Sequence, residues 1–285
     1  MSIPKIGNLK FRNRFFLAPM LEPNDVAFRT LCKKAGAGLT YTGMINPQSK
    51  QKVFLEDKPA MQIFCTSTKG LEEFIKKYDK QVCLWDFNLG CPSKLAKALG
   101  FGSFLHKRTE KIEEILKIMR ESTKKPVTIK IRKSPESLRI IKIAGKYVDA
   151  VCIHPRTAEQ GYSGEPDMAF ALEVRKITKL PVIYSGNVNI NNAKDLLDKF
   201  DFVMVGREAI GNPNIFAKLT GKRQVRKINF TDYLKLAQKY KFYFRTVKYQ
   251  AMNFTKGMHN AKELRGNLSK TNTVEEIKEM FSPVL

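Results

Sequence analysis

Residues 82–93 read Val-Cys-Leu-Trp-Asp-Phe-Asn-Leu-Gly-Cys-Pro-Ser, an apolar strand pattern that runs directly into a Gly-Cys-Pro turn. The pattern predicts a strand over Val82–Asn88, with the Asn88 carboxamide and the Cys91 thiol at its carboxyl end. In a barrel of alternating strands and helices, catalytic groups lie at the carboxyl ends of the strands. The thiol is therefore a candidate acid or nucleophile. The alternative is a small buried cysteine that ends a strand, because free cysteine is among the most buried residue types.

Seven further apolar runs resemble this strand, and helical patterns such as Glu110–Ser122 separate them. The seven runs are Arg14–Met20, Leu39–Met44, Pro59–Cys65, Pro126–Ile131, Ala150–His154, Pro181–Ser185 and Phe202–Gly206. Near-continuous apolar runs are typical of parallel strands that are buried on both faces. Eight such units predict an α/β fold of the (β/α)8 TIM-barrel class. A doubly wound sheet is the alternative, but no Gly-x-Gly-x-x-Gly follows the first run, which counts against it.

The charge balance indicates a polyanionic partner. The chain has 285 residues, 51 of them Lys or Arg and 27 Asp or Glu, which gives a formal net charge of +24. Such a balance predicts binding to nucleic acid or to an anionic membrane surface. No apolar run approaches the roughly 20 residues that span a bilayer, and no secretory leader pattern is present. We therefore expect nucleic acid and no membrane.

The number and spacing of the cysteines and histidines indicate the cellular compartment and whether a metal site is expected. The five cysteines form an odd set without a Cys-x-x-Cys pair, which predicts reduced thiols in a cytoplasmic protein. Zinc sites need closely spaced Cys and His ligands, and the chain has only three histidines. We therefore expect no metal site.

The alternation of strands and helices stops after residues 211–213, and the remaining chain has helical patterns only. We place a domain boundary near Thr220, with a catalytic barrel over residues 1–220 and a small all-helical domain over 221–285. This tail holds 14 basic and 5 acidic residues, a net charge of +9 in 65 residues. On a helical wheel, Lys241, Arg245 and Lys248 lie opposite an apolar face. They are either an ordinary solvated face or phosphate contacts, and the lack of acidic residues between Tyr233 and Ala261 favours phosphate contacts.

Polar and sulfur-bearing side chains lie where the predicted strands end. They are Met20, Met44, Gln62, Asn88, Cys91, Lys130, Arg132, His154, Arg156, Asn187 and Arg207. Lys130 is the most informative of them, because it alternates with apolar residues and should face the barrel interior or its mouth. An unpaired buried ammonium costs several kcal/mol, so Lys130 must be paired or used. His154 precedes Pro155, which favours an extended backbone at the end of its strand.

The last two strand ends have the features of a phosphate site. Ser185-Gly186-Asn187-Val188 follows the seventh strand, and Gly206-Arg207 follows the eighth. The loops after strands seven and eight of this fold frequently bind phosphate, and the glycines leave backbone N–H groups open. Arg207 would add a positive charge there.

Taken in order, these motifs resemble the tRNA-dihydrouridine synthase family over residues 11–216. The matching motifs are Ala18-Pro19-Met20 with Ala27-Phe28-Arg29, Asn88-Leu89-Gly90-Cys91-Pro92, Lys130-Ile131-Arg132, His154-Pro155-Arg156-Thr157 and Val205-Gly206-Arg207. Asn-x-Gly-Cys-Pro is the specific element, and the other motifs are individually weak. The resemblance implies a barrel that uses FMN, reduced by NADPH or NADH, to reduce the C5–C6 bond of a uridine in tRNA.

The resemblance also implies a role for each site residue. Cys91 would be the general acid that protonates C5 after a hydride from the flavin N5 reaches C6. The flavin would be bound by Ala18, Pro19, Met20, Gln62, Lys130, His154, Asn187, Gly206 and Arg207. Of these, Gln62 would hydrogen-bond the isoalloxazine, and the last three would lie near the phosphate. The tRNA would be contacted by Asn88, Arg132, Arg156, Lys241, Arg245 and Lys248, with Asn88 holding the target base.

Physical chemistry favours an acid role for Cys91 over a nucleophilic one. A thiol stays protonated at neutral pH unless a base or a charge lowers its pKa, and no adjacent base is visible in the sequence.

The alternative functions are an FMN-dependent reductase of a small pyrimidine or enone, a lyase that forms a Schiff base on Lys130, and a non-catalytic RNA-binding barrel. Small substrates do not need a charge of +24. No protein partner is implied, and we expect a monomer.

Overall fold

The computed structural model describes residues 3–22, 24–223 and 226–281, which contain eight parallel strands, twelve α-helices and two short 3-10 helices. The strands are β1 Phe15–Leu17, β2 Leu39–Thr40, β3 Ala60–Ile63, β4 Leu84–Leu89, β5 Val127–Arg132, β6 Ala150–His154, β7 Val182–Ser185 and β8 Phe202–Val205. The predicted domains include residues 1–2, 23, 224–225 and 282–285, which lie outside the described residues.

The strands are ordered β2-β1-β8-β7-β6-β5-β4-β3, and each pairs in parallel with its neighbour. An isolated parallel bridge between Tyr41 and Ala60 joins the two end strands and brings the sheet close to a full barrel. This arrangement confirms the predicted (β/α)8 fold. The second strand was predicted too long, because regular pairing stops at Thr40. Beyond Thr40, Gly43 packs against the loop that follows β1. A Cβ on Gly43 would lie 2.9 Å from the Met20 carbonyl oxygen.

Helices follow or connect the strands, as the apolar periodicity predicts. They are α1 Val26–Ala35, α2 Leu71–Tyr78, α3 Lys94–Leu99, α4 Thr109–Ser122, α5 Ser137–Ala144, α6 Met168–Ile177, α7 Ala193–Lys199, α8 Ile215–Thr220, α9 Phe230–Lys239, α10 Phe244–Phe254, α11 Ala261–Lys270 and α12 Val274–Phe281. The first helix shows how sequence sets the ends. Asp25 caps its start by accepting a hydrogen bond from the Phe28 N–H, and Gly36 ends it at φ 118°.

Two separate clusters of buried apolar side chains, one between the sheet and the helices and one inside the barrel, show which way each strand residue faces. Along β4, Trp85, Phe87 and Leu89 pack between the sheet and the helices, whereas Leu84 belongs to a separate cluster inside the barrel. Because side chains alternate along a strand, Asp86 and Asn88 lie on the same interior side as Leu84. The stacked rings of Phe16 and Phe202, with centroids 4.7 Å apart, fill the lower interior. The polar interior side chains therefore collect at the carboxyl end of the barrel.

The four C-terminal helices pack against the barrel and share its apolar core through residues such as Phe230, Phe254 and Ile277. The Asp25 carboxylate also accepts a hydrogen bond from Gln250 Nε2, at 2.6 Å. Gly211 touches the Asn253 carbonyl so closely that any side chain at position 211 would collide with it. The helical tail is confirmed, while its description as a separate domain that begins at residue 221 stays a prediction.

The helical-wheel interpretation of the tail is wrong, because residues 233–254 do not form one helix. α9 ends at Lys239 and α10 begins at Phe244. Lys241 lies in the turn between them with φ 52°, a left-handed conformation that ends a helix. Within the described ranges, no helix has the length and apolarity that crossing a membrane requires.

Candidate active site

A cavity of about 420 Å³ opens at the carboxyl ends of β1, β5, β6, β7 and β8. Its volume lies in the range of about 300–1,000 Å³ that is typical of small-molecule and cofactor sites. Eight of the nine residues predicted to bind the cofactor line this cavity: Ala18, Pro19, Met20, Lys130, His154, Asn187, Gly206 and Arg207. The structure thus brings together side chains that are up to 189 positions apart in the sequence.

The loop after β7 forms one end of the cavity. Gly186 has φ 146° and Asn187 has φ 48°, so the loop turns sharply and its backbone lines the wall. Arg207 Nη2 donates a hydrogen bond of 2.5 Å to the Asn187 side-chain oxygen and fixes the two predicted phosphate residues against each other. The guanidinium also lies 5.1 Å from the centroid of the Tyr162 ring. A positive group beside an open loop suits an anion.

His154 is neutral in this site. Burial lowers the pKa of its imidazole to about 2, and the charges of Lys130, Arg132, Arg156 and Arg207 act in the same direction. Arg156 Nη1 lies 3.2 Å from His154 Nε2. Because a guanidinium can only donate, Nε2 accepts and Nδ1 carries the proton. His154 is thus a neutral hydrogen-bond donor in a strongly cationic site.

Lys130 lies in the barrel interior beside this histidine. It is half-buried, lines the cavity and pairs in register with Asn88 on β4 and Cys152 on β6. Across the described part of the chain, its ammonium makes no hydrogen bond. Asp86 is a nearby carboxylate, and the charge of Lys130 partly opposes the rise that burial causes in the pKa of Asp86. Its three donors are therefore available to a ligand in the cavity.

The Cys91 turn is held from two sides. The Asn88 side-chain oxygen accepts hydrogen bonds from the Gly90 and Cys91 N–H groups, each at 3.0 Å. On the other side, Gly102 approaches so closely that a Cβ would lie 2.8 Å from the Cys91 carbonyl oxygen. The half-buried thiol donates to the Ser93 hydroxyl at 3.3 Å, and that hydroxyl also caps α3. The hydrogen-bond partner of the thiol is therefore a hydroxyl group and not a base.

The other four cysteines differ from Cys91. Burial raises the pKa of the Cys32, Cys65, Cys83 and Cys152 thiols, to about 12, 11 and 12 for the last three. These side chains pack in apolar surroundings. Among the residues that the structure describes, no group of three His, Cys, Asp or Glu side chains could hold a metal ion.

Gln62 is the predicted flavin ligand that does not line the cavity. It is 2% exposed, and both ends of its amide are engaged. Its Nε2 donates to Asp86 and its Oε1 accepts from Asn88, both at 2.7 Å. The predicted contact to the isoalloxazine stays a prediction, while the structure shows Gln62 as a link between two interior side chains.

Arg132 and Arg156, which we predicted to bind substrate, are both buried in backbone contacts. Arg132 is 1% exposed and donates to the carbonyl oxygens of Gly90 at 2.8 Å and Gly161 at 2.7 Å. Arg156 donates to the Gly164 carbonyl oxygen at 2.6 Å. These loops have carbonyl groups without sheet partners, and the guanidinium groups satisfy them. Their substrate contacts stay predictions, but both residues clearly hold loops in place.

The three predicted phosphate contacts of the tail are not equivalent. Lys241 and Arg245 are exposed. Lys248 instead donates to the carbonyl oxygens of Ser269 and Thr271, at 2.7 and 2.8 Å, and so caps the end of α11. Their contacts to tRNA remain predictions, and the first two side chains are the better placed.

Asp86 and Tyr162 are among the residues of the site that were not predicted. Asp86 is a carboxylate inside the barrel, and burial raises its pKa to about 7 against the effects of Thr128, Gln62 and Lys130. An acidic residue in the middle of an apolar strand was the available signal. Tyr162 lines the cavity from the loop after β6, and it is 60% exposed. No periodic pattern marks a residue in such a loop.

Known proteins resemble this chain in both sequence and fold. The sequence model of the family described as dihydrouridine synthase (Dus) matches residues 16–284. A protein of Pasteurella multocida named tRNA-dihydrouridine synthase B is 32% identical over 235 residues, which cover 74% of this chain and 70% of the relative. The protein of the same name from Vibrio vulnificus is 31% identical over 236 residues, covering 75% and 73%.

Solved structures share the barrel at low sequence identity. Morphinone reductase has a TM-score of 0.55 at 13% identity and covers 81% of this chain and 93% of its own. The old yellow enzyme homologue from Zymomonas mobilis has a TM-score of 0.52 at 12% identity and covers 82% and 96%. At this level of identity the likeness concerns the fold alone.

The neutral state of His154 gives a testable prediction. We expect the ring signals of His154, assigned by their loss in His154→Gln, to stay constant in NMR spectra from about pH 8 to about pH 5, whereas the unfolded chain titrates near 6.5. Because the folded-state pKa of His154 lies below the unfolded value, only the unfolded state binds a proton at this histidine as the pH falls below about 6.5. The free energy of unfolding therefore decreases as the pH falls through this range. A His154 midpoint between those pH values would contradict the assignment.

Proposed function

This chain is an oxidoreductase that belongs to the dihydrouridine synthase family, and we propose that it reduces the C5–C6 double bond of uridines in tRNA, with FMN as cofactor and NADPH or NADH as reductant. The observation that carries this proposal is that the Cys91 turn and the cavity lie at the same end of the barrel. The Cys91 turn directly follows β4, and the neighbouring strand β5 carries Lys130, which lines the cavity together with His154.

The cavity has the donor set that FMN requires. Ala18, Pro19 and Met20 offer apolar contact, and Lys130 and the neutral His154 offer hydrogen-bond donors. Arg207 and the loop around Asn187 suit the phosphate. Bound there, FMN would supply the hydride for C6 of the uracil.

In this proposal Cys91 gives its proton to C5. The addition of hydride to C6 leaves enolate-like negative charge on the uracil, and the ammonium of Lys130, which lines the cavity, would stabilise such charge. Among the described residues, the hydrogen-bond partner of the thiol is the Ser93 hydroxyl at 3.3 Å, which does not act as a base that would remove the proton beforehand. After the transfer, solvent reprotonates the half-buried sulfur. Apart from Cys91 and Lys130, the side chains of the site bind and orient the cofactor and the substrate.

The substrate class follows from charge as well as from family. A uracil within folded tRNA must leave its stack to reach a cavity at the strand ends, and phosphate contacts would hold the surrounding backbone. The net charge of +24, with Lys241 and Arg245 exposed on the tail, supports tRNA over a free pyrimidine or enone. Five free cysteines support a cytoplasmic location. A monomer stays a prediction.

Replacement of the thiol tests the acid role. We expect Cys91→Ala to keep FMN and tRNA binding but to form dihydrouridine at least about 100-fold more slowly, because general acid catalysis contributes that much. Mass spectrometry of digested tRNA measures the product. The matched control is Cys83→Ala, which removes a thiol whose pKa burial raises to about 11. Wild-type rates in Cys91→Ala, or an equal loss in Cys83→Ala, would refute the assignment.

The tail contacts are tested by charge removal. We expect Lys241→Ala combined with Arg245→Ala to weaken tRNA binding and to reduce the slope of log Kd against log salt by about 2, since each lost phosphate contact lowers it by about 1. Lys248 is left unchanged, because its ammonium caps α11.

The control for the tail variant is Lys117→Ala with Lys142→Ala, two exposed lysines on α4 and α5 of the barrel. This pair removes the same charge from another face and should leave the salt slope unchanged. An equal effect of both pairs would mean that only net charge matters and that the tail has no specific role.

A further inference from the structure

A chain of four buried polar side chains runs through the barrel interior beneath the Cys91 turn. Gln62, Asp86 and Thr128 lie in register on three adjacent strands, β3, β4 and β5. Asn88 lies two positions further along β4, on the same interior side. All four side chains are at most 7% exposed. Burying this much polarity is costly unless each group has a partner.

The hydrogen bonds connect the four side chains end to end. Thr128 Oγ1 donates to Asp86 Oδ1 at 2.5 Å, and Gln62 Nε2 donates to Asp86 Oδ2 at 2.7 Å. Asn88 Nδ2 then donates to Gln62 Oε1 at 2.7 Å. At the top, Asn88 Oδ1 accepts from the backbone N–H groups of Gly90 and Cys91.

Asp86 at one end and the Gly90 and Cys91 N–H groups at the other set the direction of every bond in this chain. A carboxylate can only accept, so Gln62 must turn its nitrogen toward Asp86 and its oxygen toward Asn88. Asn88 must then turn its nitrogen toward Gln62, which leaves its oxygen for the turn. A donor in place of Asp86 would reverse both amides and set the Asn88 nitrogen against the Cys91 N–H.

The chain keeps this direction whether or not Asp86 holds a proton. Burial raises the pKa of Asp86 to about 7, so both forms occur near neutral pH. A proton on Oδ2 would face the Gln62 nitrogen, which is itself a donor. On Oδ1 it faces the Thr128 hydroxyl, which can accept it. The acceptor that Gln62 needs is therefore present in both states.

We propose that Asp86 is a positioning residue for Cys91, which it controls through the amide groups of Gln62 and Asn88. The carboxylate specifies the orientation of two amides and thereby fixes the backbone of the turn that presents the thiol. The catalytic part of this inference rests on the proposed function of Cys91 as proton donor. The geometric part, from Asp86 to the Cys91 N–H, is independent of the reaction.

Three variants test this role. Asp86→Leu removes the acceptor at similar volume, and Thr128→Val is the matched control, since it removes the other hydrogen bond to Asp86 and leaves the path to Asn88 intact. The third is Asp86→Asn combined with Gln62→Glu. In this exchanged pair the new amide at position 86 donates to the new carboxylate at position 62, which still accepts from Asn88.

We expect Asp86→Leu to lower kcat for dihydrouridine formation by about 10- to 100-fold, the cost of misplacing a reacting group by about 1 Å. FMN content should be retained, and Thr128→Val should lose less kcat than Asp86→Leu, most clearly above pH 7, where ionised Asp86 needs no proton acceptor at position 128. The exchanged pair should recover much of the loss. A purely structural role would lower the unfolding temperature in Asp86→Leu but leave the kcat of the folded protein unchanged. An unchanged kcat in Asp86→Leu would overturn the proposal.

Two further measurements keep the proposal testable. If Asp86→Leu does not fold, Asp86→Asn alone is compared with the exchanged pair, and the proposal fails unless the pair has the higher kcat. If the wild-type protein forms no dihydrouridine, the proposed function fails, but iodoacetamide alkylation of Cys91 still reports on the turn. We expect Asp86→Leu to accelerate that alkylation and the exchanged pair to restore the wild-type rate, and equal rates in all three proteins would overturn the inference.

Discussion

The two hydrogen bonds that the Asn88 carboxamide accepts from the Gly90 and Cys91 N–H groups hold the site together. They convert the end of an interior strand into a rigid support for a thiol. Gly102 permits this geometry from the other side, because only a residue without a side chain can approach the Cys91 carbonyl so closely. Without these contacts the turn would be an ordinary surface loop, and the thiol would have no fixed relation to the cavity beside it.

The second determinant of the site is an excess of positive charge around a neutral imidazole. Lys130, Arg132, Arg156 and Arg207 all lower the pKa of His154, in addition to its burial. Arg132 and Arg156 are anchored on backbone carbonyl groups, so their charges are fixed in place. A cavity of this kind favours a ligand with anionic groups, and the exposed basic residues of the tail extend the same preference to the protein surface.

Sequence patterns predicted the barrel well because eight mostly apolar runs alternate with helical patterns along the chain, which is typical of this fold. The cavity wall was predictable for the same reason, since strand ends in this fold converge on one face. Gln62, Arg132 and Arg156 show what sequence cannot give: their polar groups are engaged by nearby carbonyl, amide and carboxylate groups, and such pairing depends on tertiary contacts. Within the helical tail, residues 236–254 were placed on one helical wheel because the apolar pattern continues across the break at Lys241.

The central claim is that the cavity and the Cys91 turn act together on a uridine in tRNA. The most direct test is a single turnover without oxygen, in which FMN-loaded protein is reduced with NADPH, freed of excess reductant and mixed with tRNA that lacks dihydrouridine. We expect flavin reoxidation to be accompanied by an equal amount of dihydrouridine in the tRNA. A flavin that stays reduced with tRNA, or reoxidises without forming dihydrouridine, would contradict the claim.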